Sequence, residues 1–263
     1  LTLLPISSLY LLNKEINFDL AIEKIGIGSK NNHASERLTI DAFGASKGNQ
    51  AFSKLPGVEK EIEAIVNLEA RHQLKRNSYI DKDFNRRSFI NAFESKSDII
   101  HISTHFKING NNANSSKMLL GDGQTLTMEE LWLGLPKNET DLIILSACNT
   151  ANLMTAEDGM STEGLSNIFQ QKGAQYVLST LWEIDDAGTS AFMTVFYSLL
   201  LNNDMSPTKA LSYTKEIFLY GDTALNKHNL VIGNDHYVSG ALNKVSRFKD
   251  PYFWGGFQIS TVN

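Results

Sequence analysis

Hydrophobic positions fall into two patterns that alternate along the chain. Short apolar runs without alternation, such as DLIILSA at 141–147, are typical of central parallel strands covered on both faces. Between them, apolar residues three and four apart predict amphipathic helices. This alternation predicts an α/β fold in which helices pack on both faces of a mostly parallel sheet.

The pattern gives specific elements. Strands are predicted at 1–5, 38–43, 99–103, 142–147, 176–181 and 257–261. Helices are predicted at 58–71, 85–94, 127–132, 162–172, 187–202 and 207–219, the last with Ser206 as its cap and Pro207 as its first residue. GDGQT at 121–125 has no lysine for a phosphate loop and predicts a tight turn. Long loops are predicted at 26–37, 107–117 and 221–250, and loops of this length often act as lids. No internal repeat or domain break stands out, so we expect one domain over residues 1–263.

Composition narrows the class of protein. The 263 residues carry a net charge of −5, which argues against a nucleic-acid surface because phosphate binding needs clustered Lys and Arg. No apolar run is long enough for a membrane-spanning helix. The chain starts at Leu1 without a signal-peptide pattern, so we expect a cytoplasmic protein and a fragment of a longer chain. One cysteine, Cys148, excludes an internal disulfide framework and a Cys-rich zinc site.

Two histidines stand in the segment HISTHF. In a strand, His101, Ser103 and His105 point to the same face. The segment lacks the H-E-x-x-H pattern of a helical zinc site, so we expect no metal and no cofactor. We expect His101 to be buried and hydrogen-bonded to backbone. His105 lies where the strand passes into a loop, and α/β proteins form sites outside the carboxyl ends of their strands.

The lone cysteine lies in a similar place. A single cysteine is usually a small buried hydrophobe, but here the flanks change from apolar to polar at Cys148 itself. Its strand and the strand before His105 both end in loops, so both side chains can reach one rim of the sheet. A histidine there could take the thiol proton and favour the reactive thiolate.

Two other segments have structural alternatives. GMSTEG at 159–164 is one residue too long for the G-x-S-x-G elbow of serine hydrolases, so Ser161 is better interpreted near a helix N-cap. In STLWEIDD, Asp185 and Asp186 could cap the following helix or line a pocket. Trp182 could belong to the core or to a pocket wall.

Several motifs in order resemble one family. The segments ISTHF, LSACNT, LSTLWEIDD, FYSLL, KAL and PYFWGGFQI together resemble the CHAT domain, a group of caspase-like cysteine peptidases related to separases that commonly follow tetratricopeptide repeats. The resemblance implies a caspase–haemoglobinase-like three-layer sandwich and a catalytic dyad of His105 and Cys148. Backbone N–H groups, including that of Cys148, would hold the oxyanion.

The resemblance also indicates candidate substrate-binding residues and one departure. The family usually has glycine after its catalytic histidine, whereas this chain has Phe106, which either strains the backbone or narrows the cleft. The implied substrate-binding residues are Phe106, Trp182, Glu183, Asp185 and Asp186.

The resulting hypothesis is a cysteine endopeptidase that cleaves a protein substrate. The resemblance suggests control by an N-terminal repeat region or an activating effector complex, with weak turnover by the isolated domain. Two settings suit it: CRISPR-associated defence and activation of pore-forming proteins in antiviral defence. The alternatives are an inactive interaction module of the same fold and, less favoured, an α/β serine hydrolase. We expect no membrane and no direct nucleic-acid partner.

Overall fold

The computed structural model describes residues 38–107, 116–137, 139–146, 162–182, 184–203, 205–233 and 236–261. The strands are β1 Leu38–Gly44, β2 Leu74–Ile80, β3 Ile99–Ser103, β4 Phe106–Lys107, β5 Lys117–Leu119, β6 Thr125–Thr127, β7 Leu142–Leu145, β8 Tyr176–Thr180 and β9 Phe257–Thr261. The helices are α1 Gly57–Asn67, α2 Arg86–Glu94, α3 Met128–Gly134, α4 Thr162–Gln171, α5 Asp186–Asn202, α6 Pro207–Tyr220, α7 Asp222–His228 and α8 His236–Val245.

Six strands form the central sheet in the order β2-β1-β3-β7-β8-β9. All neighbours are parallel except β9, which runs antiparallel to β8 along one edge. A small antiparallel sheet of β4, β5 and β6 follows the carboxyl end of β3. The predicted mostly parallel α/β architecture is therefore confirmed.

Helices cover both faces of the sheet. On one face, which we call the upper layer, α1, α5, α6 and α8 pack on inward side chains such as Ile40, Ile99 and Ile144. On the other face, the lower layer, α2, α3 and α4 pack on Phe43, Ile102 and their neighbours. Residues of one strand alternate between the two layers because successive side chains point to opposite faces.

Most predicted elements are present with small shifts at their ends. The helix predicted at 207–219 spans Pro207–Tyr220, and Ser206 caps it as expected, accepting from the Lys209 N–H at 3.4 Å. The helix predicted at 58–71 already ends at Asn67, where Leu68 turns out of the helix. The turn at Gly121–Gln124 also forms, closed by hydrogen bonds between Leu120 and Gln124 and from Gly123 to Leu120.

Two predictions are wrong or incomplete. The segment 221–250 is not one long loop, because it contains α7 and α8, whose residues Ala224, Val238 and Ala241 pack in the upper layer. Strand β2 was not expected, because its sequence LKRNSYI belongs to an edge strand and has no apolar run. The strand predicted at 1–5 and the loop predicted at 26–37 lie outside the described residues, as does most of 107–117.

None of the helices within the described ranges is long and apolar enough to cross a bilayer.

Candidate active site

His105 lies two residues beyond the carboxyl end of β3 and is 3% exposed. Its Nε2 atom is 2.9 Å from the backbone oxygen of Ser53 and 3.3 Å from the Ser53 hydroxyl. The ring stacks on Phe52 at a centroid distance of 5.6 Å. Because a carbonyl oxygen only accepts, the contact with Ser53 assigns the ring proton to Nε2 and leaves the lone pair on Nδ1. The contact with Ser53 therefore fixes the orientation of the His105 ring and the tautomer of its neutral form.

Phe106 follows His105 as the first residue of β4, where it pairs with Met118. Its side chain is 3% exposed and belongs to the lower layer. Its φ is not positive, so the backbone conformation at this position does not require glycine. In this conformation Phe106 neither strains the chain nor projects into a cleft.

Strand β7 lies directly beside β3 in the sheet. Its pairing keeps a constant offset of 43 positions, from Ile99 with Leu142 to Ile102 with Leu145. The ladder continues for one more bond, in which Ser146 N donates to Ile102 O at 3.0 Å. Cys148 itself lies outside the described residues.

A buried polar group joins the upper layer to the ends of β3 and β7. We call it the Glu61 cluster, and it consists of Glu61, His101, Ser103, Ser146 and Tyr197. The Ser103 hydroxyl donates to Glu61 Oε2 at 2.9 Å, and the Ser146 hydroxyl donates to Oε1. Each of these side chains is at most 4% exposed. The cluster lies just below the rim at which His105 is found.

His101 is buried as expected, but its partners are side chains rather than backbone. Its Nδ1 is 3.3 Å from the Tyr197 hydroxyl, and its Nε2 is 3.2 Å from Glu61 Oε1, off the line that a good hydrogen bond needs. His105 instead bonds to Ser53. The two histidines thus have separate partners. Among the described residues, no three His, Cys, Asp or Glu side chains are arranged to hold a metal ion.

Trp182 follows β8, which flanks β7 on the side opposite β3. The indole is partly buried against the upper layer, and its Nε1 donates to Tyr252 O at 2.8 Å. A β-carbon added to Gly256 would stand 2.9 Å from the ring, so the indole rests on this glycine. Trp182 is therefore a rim residue supported by the segment that leads into β9.

The two aspartates after Trp182 hold helix ends. Asp185 caps α5, accepting from the N–H groups of Ala187 and Gly188 at 2.6 and 2.9 Å. Asp186 accepts from the Gly57 N–H at the start of α1, at 2.9 Å. The capping interpretation of Asp185 is thus confirmed. Glu183 lies outside the described residues.

Sequence reasoning missed Ser53 and Glu61. Ser53 contacts His105 through its backbone oxygen, which every residue has, so no sequence signal marks it. Glu61 did carry a signal, because it stands three residues after Val58 and four before Ile65, on the apolar stripe of α1. A charged residue at a core position is rare unless it is partnered, so this placement indicates a buried polar contact.

Three comparisons with known proteins relate the chain to others. No curated protein matches the sequence. Among solved structures, the fold is similar to a chain in the complex of Porphyromonas gingivalis RgpB pro- and mature domains, with 8% sequence identity and a TM-score of 0.44. That match covers 85% of this chain but only 46% of the other chain's length. The model of the CHAT domain matches residues 13–261, and the chain therefore belongs to the CHAT domain family.

Proposed function

We propose that this chain is a cysteine endopeptidase in which His105 and Cys148 form the catalytic dyad. The observation that carries the proposal is the register of β3 and β7, whose offset of 43 positions equals the separation of His105 and Cys148 in the sequence. Adjacent strands lie about 4.8 Å apart, which is a suitable spacing for a histidine and a thiol at equivalent positions. Membership of the CHAT domain family supports the same assignment.

The contacts of His105 give each nitrogen a role. Nδ1 takes the proton of the Cys148 thiol, and the sulfur attacks the peptide carbonyl to give an acyl-enzyme. The protonated imidazole then delivers that proton to the leaving amine, and water hydrolyses the acyl-enzyme. The Ser53 carbonyl oxygen, 2.9 Å from Nε2, stabilises the imidazolium and keeps the ring oriented. Backbone N–H groups, including that of Cys148, would stabilise the oxyanion.

The substrate would be a protein segment bound across the rim of the sheet. Trp182 would provide an apolar wall beyond β8, with Glu183 beside it. Asp185 and Asp186 are engaged with helix N-termini, which favours an indirect contribution to binding. We further propose, from the family resemblance, that an N-terminal repeat region or effector complex activates the enzyme in cytoplasmic antiviral defence.

The test uses the only cysteine in the chain. The rate of alkylation of Cys148 by iodoacetamide is measured against pH for the wild type and His105→Ala. A dyad predicts an apparent thiol pKa below the usual value of about 8.5 in the wild type and a return to about 8.5 in the variant. An ordinary thiol pKa in the wild type would contradict the dyad and favour the inactive interaction module.

Cleavage is tested on a proteome-derived peptide library with the chain and with its full-length form. Cys148→Ala and His105→Ala are expected to lower turnover by at least about 10³-fold. Ser161→Ala is the matched control and should retain activity. Loss of activity in Ser161→Ala alone would favour the serine hydrolase, and strong turnover by the isolated chain would contradict the need for an activator.

A further inference from the structure

We infer that Glu61 is the positioning residue of this site, a buried carboxylate that fixes the distance between the strand ends carrying His105 and Cys148. The inference rests on the proposed function, because it assigns a role in the same dyad. Glu61 bonds to Ser103 and Ser146, each two residues before one of the proposed reacting groups. It acts on the two chain segments just before them.

The hydrogen bonds of Glu61 reach both strands at equivalent positions. Ser103, which donates to Oε2 at 2.9 Å, stands two residues before His105. Ser146, which donates to Oε1, stands two residues before Cys148. One carboxylate therefore bridges β3 and β7 at the last positions where their backbone ladder holds them together. Beyond this point the strands no longer pair in the described residues, so a side-chain bridge has the most influence here.

Burial makes this bridge sensitive to the positions of its hydrogen-bond donors. Glu61 is 4% exposed, Ser103 is 0% exposed and Ser146 is 2% exposed. Hydrogen bonds to a charged acceptor are stronger than neutral ones, and water is not there to replace them. A change in either hydroxyl position would leave a carboxylate oxygen without its donor. The bridge thus resists movement of the two strand ends relative to each other.

Two further buried residues, His101 and Tyr197, lie around Glu61. The titratable groups that face it are His101 on β3 and Tyr197 on α5. Burial and the neighbouring Glu61 charge raise the pKa of Tyr197 well above its usual value, so its hydroxyl stays protonated beside His101 Nδ1. His101 Nε2 lies 3.2 Å from Glu61 Oε1. His101 and Tyr197 thus surround Glu61 from β3 and from α5.

Helix α1 connects this bridge to His105 by a second route. The segment that precedes α1 contains Ser53, whose carbonyl oxygen contacts His105 Nε2. Asp186 fixes the start of α1 through the Gly57 N–H. A shift of α1 would therefore move both the carboxylate below the rim and the acceptor of the His105 ring. This arrangement distinguishes a positioning role from simple filling of the core.

The test measures the pH profile of Cys148 alkylation by iodoacetamide in variants of the whole chain. Glu61→Leu and the double variant Ser103→Ala/Ser146→Ala should raise the apparent thiol pKa toward about 8.5, because a misplaced imidazolium stabilises the thiolate less. Once the thiol pKa lies above 6, each further unit of rise lowers the thiolate fraction available for alkylation at pH 6 about tenfold. Glu61→Gln, which keeps the size and one acceptor oxygen, should restore most of the wild-type profile.

A matched control removes another buried carboxylate. Asp41 is 2% exposed and accepts from Asn77 at 2.6 Å and from Ser97, on the lower-layer face of β1 and away from the rim. Asp41→Leu should lower stability without moving the thiol pKa. Circular dichroism and urea unfolding establish that each variant is folded, and the double serine variant decides the question if Glu61→Leu does not fold.

The outcomes separate this inference from the proposed function. A lowered thiol pKa in the wild type that persists in Glu61→Leu and in the double serine variant overturns the positioning role and leaves the dyad intact. An ordinary thiol pKa in the wild type overturns both. A pKa that rises equally in Asp41→Leu also overturns the positioning role, because general destabilisation would then explain the shift.

Discussion

The two helical layers of this protein differ in the kinds of side chain that they bury. The lower layer is built mainly from apolar groups, among them Phe43, Phe84 and Phe89, whose rings lie 5.2 to 5.8 Å apart in tilted and edge contacts, and its buried carboxylate Asp41 lies away from the rim. The upper layer contains the Glu61 cluster inside an otherwise apolar core. Burial of apolar side chains stabilises the folded state in proportion to the area buried and does not depend on precise orientation. A buried carboxylate is tolerated only when its hydrogen-bond and charge partners are in place.

The difference indicates that the two layers have different roles in the protein. Replacing a buried polar network by well-packed apolar residues is often neutral or stabilising, so stability alone does not account for the Glu61 cluster. The cluster lies at the carboxyl ends of β3 and β7, next to the rim that carries His105.

The largest expected effect comes from the lower layer at its border with the site. Phe106→Gly restores the residue usual in the family but removes a buried ring, and we expect a loss of about 3–5 kcal/mol or more in the free energy of unfolding. Because the φ of Phe106 is not positive, glycine gains nothing there, and alkylation of Cys148 should not become faster. Urea unfolding and the alkylation assay measure the two effects.

Phe89→Ala is the control for that prediction. Phe89 is fully buried on α2, so its loss should cost a similar amount of stability without any change in the thiol profile. Faster alkylation in Phe106→Gly than in the wild type would show that the phenylalanine restrains the dyad. The lower layer would then affect the proposed site directly and not only through stability.

In the upper layer, Tyr197→Phe removes one hydroxyl and keeps the ring. His101 Nδ1 would lose its hydrogen-bond partner in a fully buried position, so we expect a loss of about 1–3 kcal/mol in the free energy of unfolding. Tyr176→Phe, at a half-buried tyrosine of β8, should cost less. Equal losses of stability in the two variants, measured by urea unfolding, would mean that the Glu61 cluster depends on its hydroxyl no more than a half-buried position does.

A smaller effect is expected at the start of α5. Asp185→Ala leaves the N–H groups of Ala187 and Gly188 without their acceptor, which should cost about 1 kcal/mol of stability. Asp185→Asn retains the capping oxygen and should behave nearly as the wild type in thermal unfolding. A large decrease in peptide cleavage by both variants at unchanged stability would instead assign Asp185 to substrate binding.

The smallest effect concerns a carboxylate at the rim beyond β2. Burial would raise the pKa of Asp81, but hydrogen bonds from the Ser46 backbone and side chain and from Lys47 outweigh it and hold the pKa below its ordinary value of 3.8. A lowered folded-state pKa adds stability above the unfolded-state pKa, and this contribution disappears as pH falls through the folded-state value. The stability difference between wild type and Asp81→Asn should therefore shrink below about pH 4. A difference that stays constant between pH 7 and pH 3 in urea unfolding would contradict this assignment.

Much of the fold follows from local sequence signals. The apolar run before Ser146 predicts β7, because a strand buried on both faces consists of consecutive apolar residues. The pair Ser206–Pro207 predicts the start of α6, because a capping serine followed by proline favours helix initiation. Strand β2 escapes prediction because its position at the edge lets polar residues alternate through it. Helix α8 does carry a helical period, because its buried residues Val238, Ala241 and Val245 stand three and four positions apart, but the period covers only a short part of the mixed segment 221–250.

The candidate site divides in the same way. The resemblance and the strand ends identify His105 and Cys148, because reactive side chains are specific residue types in specific motifs. The acceptor for His105 is a backbone oxygen of Ser53, which only the folded chain brings to it. The role of Glu61 depends on two serines 42 and 85 positions away, a relation that no single stretch of sequence contains.

The contact between Trp182 and Gly256 has an evolutionary consequence. A β-carbon at position 256 would stand 2.9 Å from the indole, so the tryptophan and the glycine limit each other's replacement although 70-odd residues separate them. Natural variants that enlarge position 256 should carry a smaller side chain at position 182. Laboratory variants should accordingly change these two positions as a pair, because enlarging position 256 alone meets a steric barrier and shrinking position 182 alone leaves a cavity.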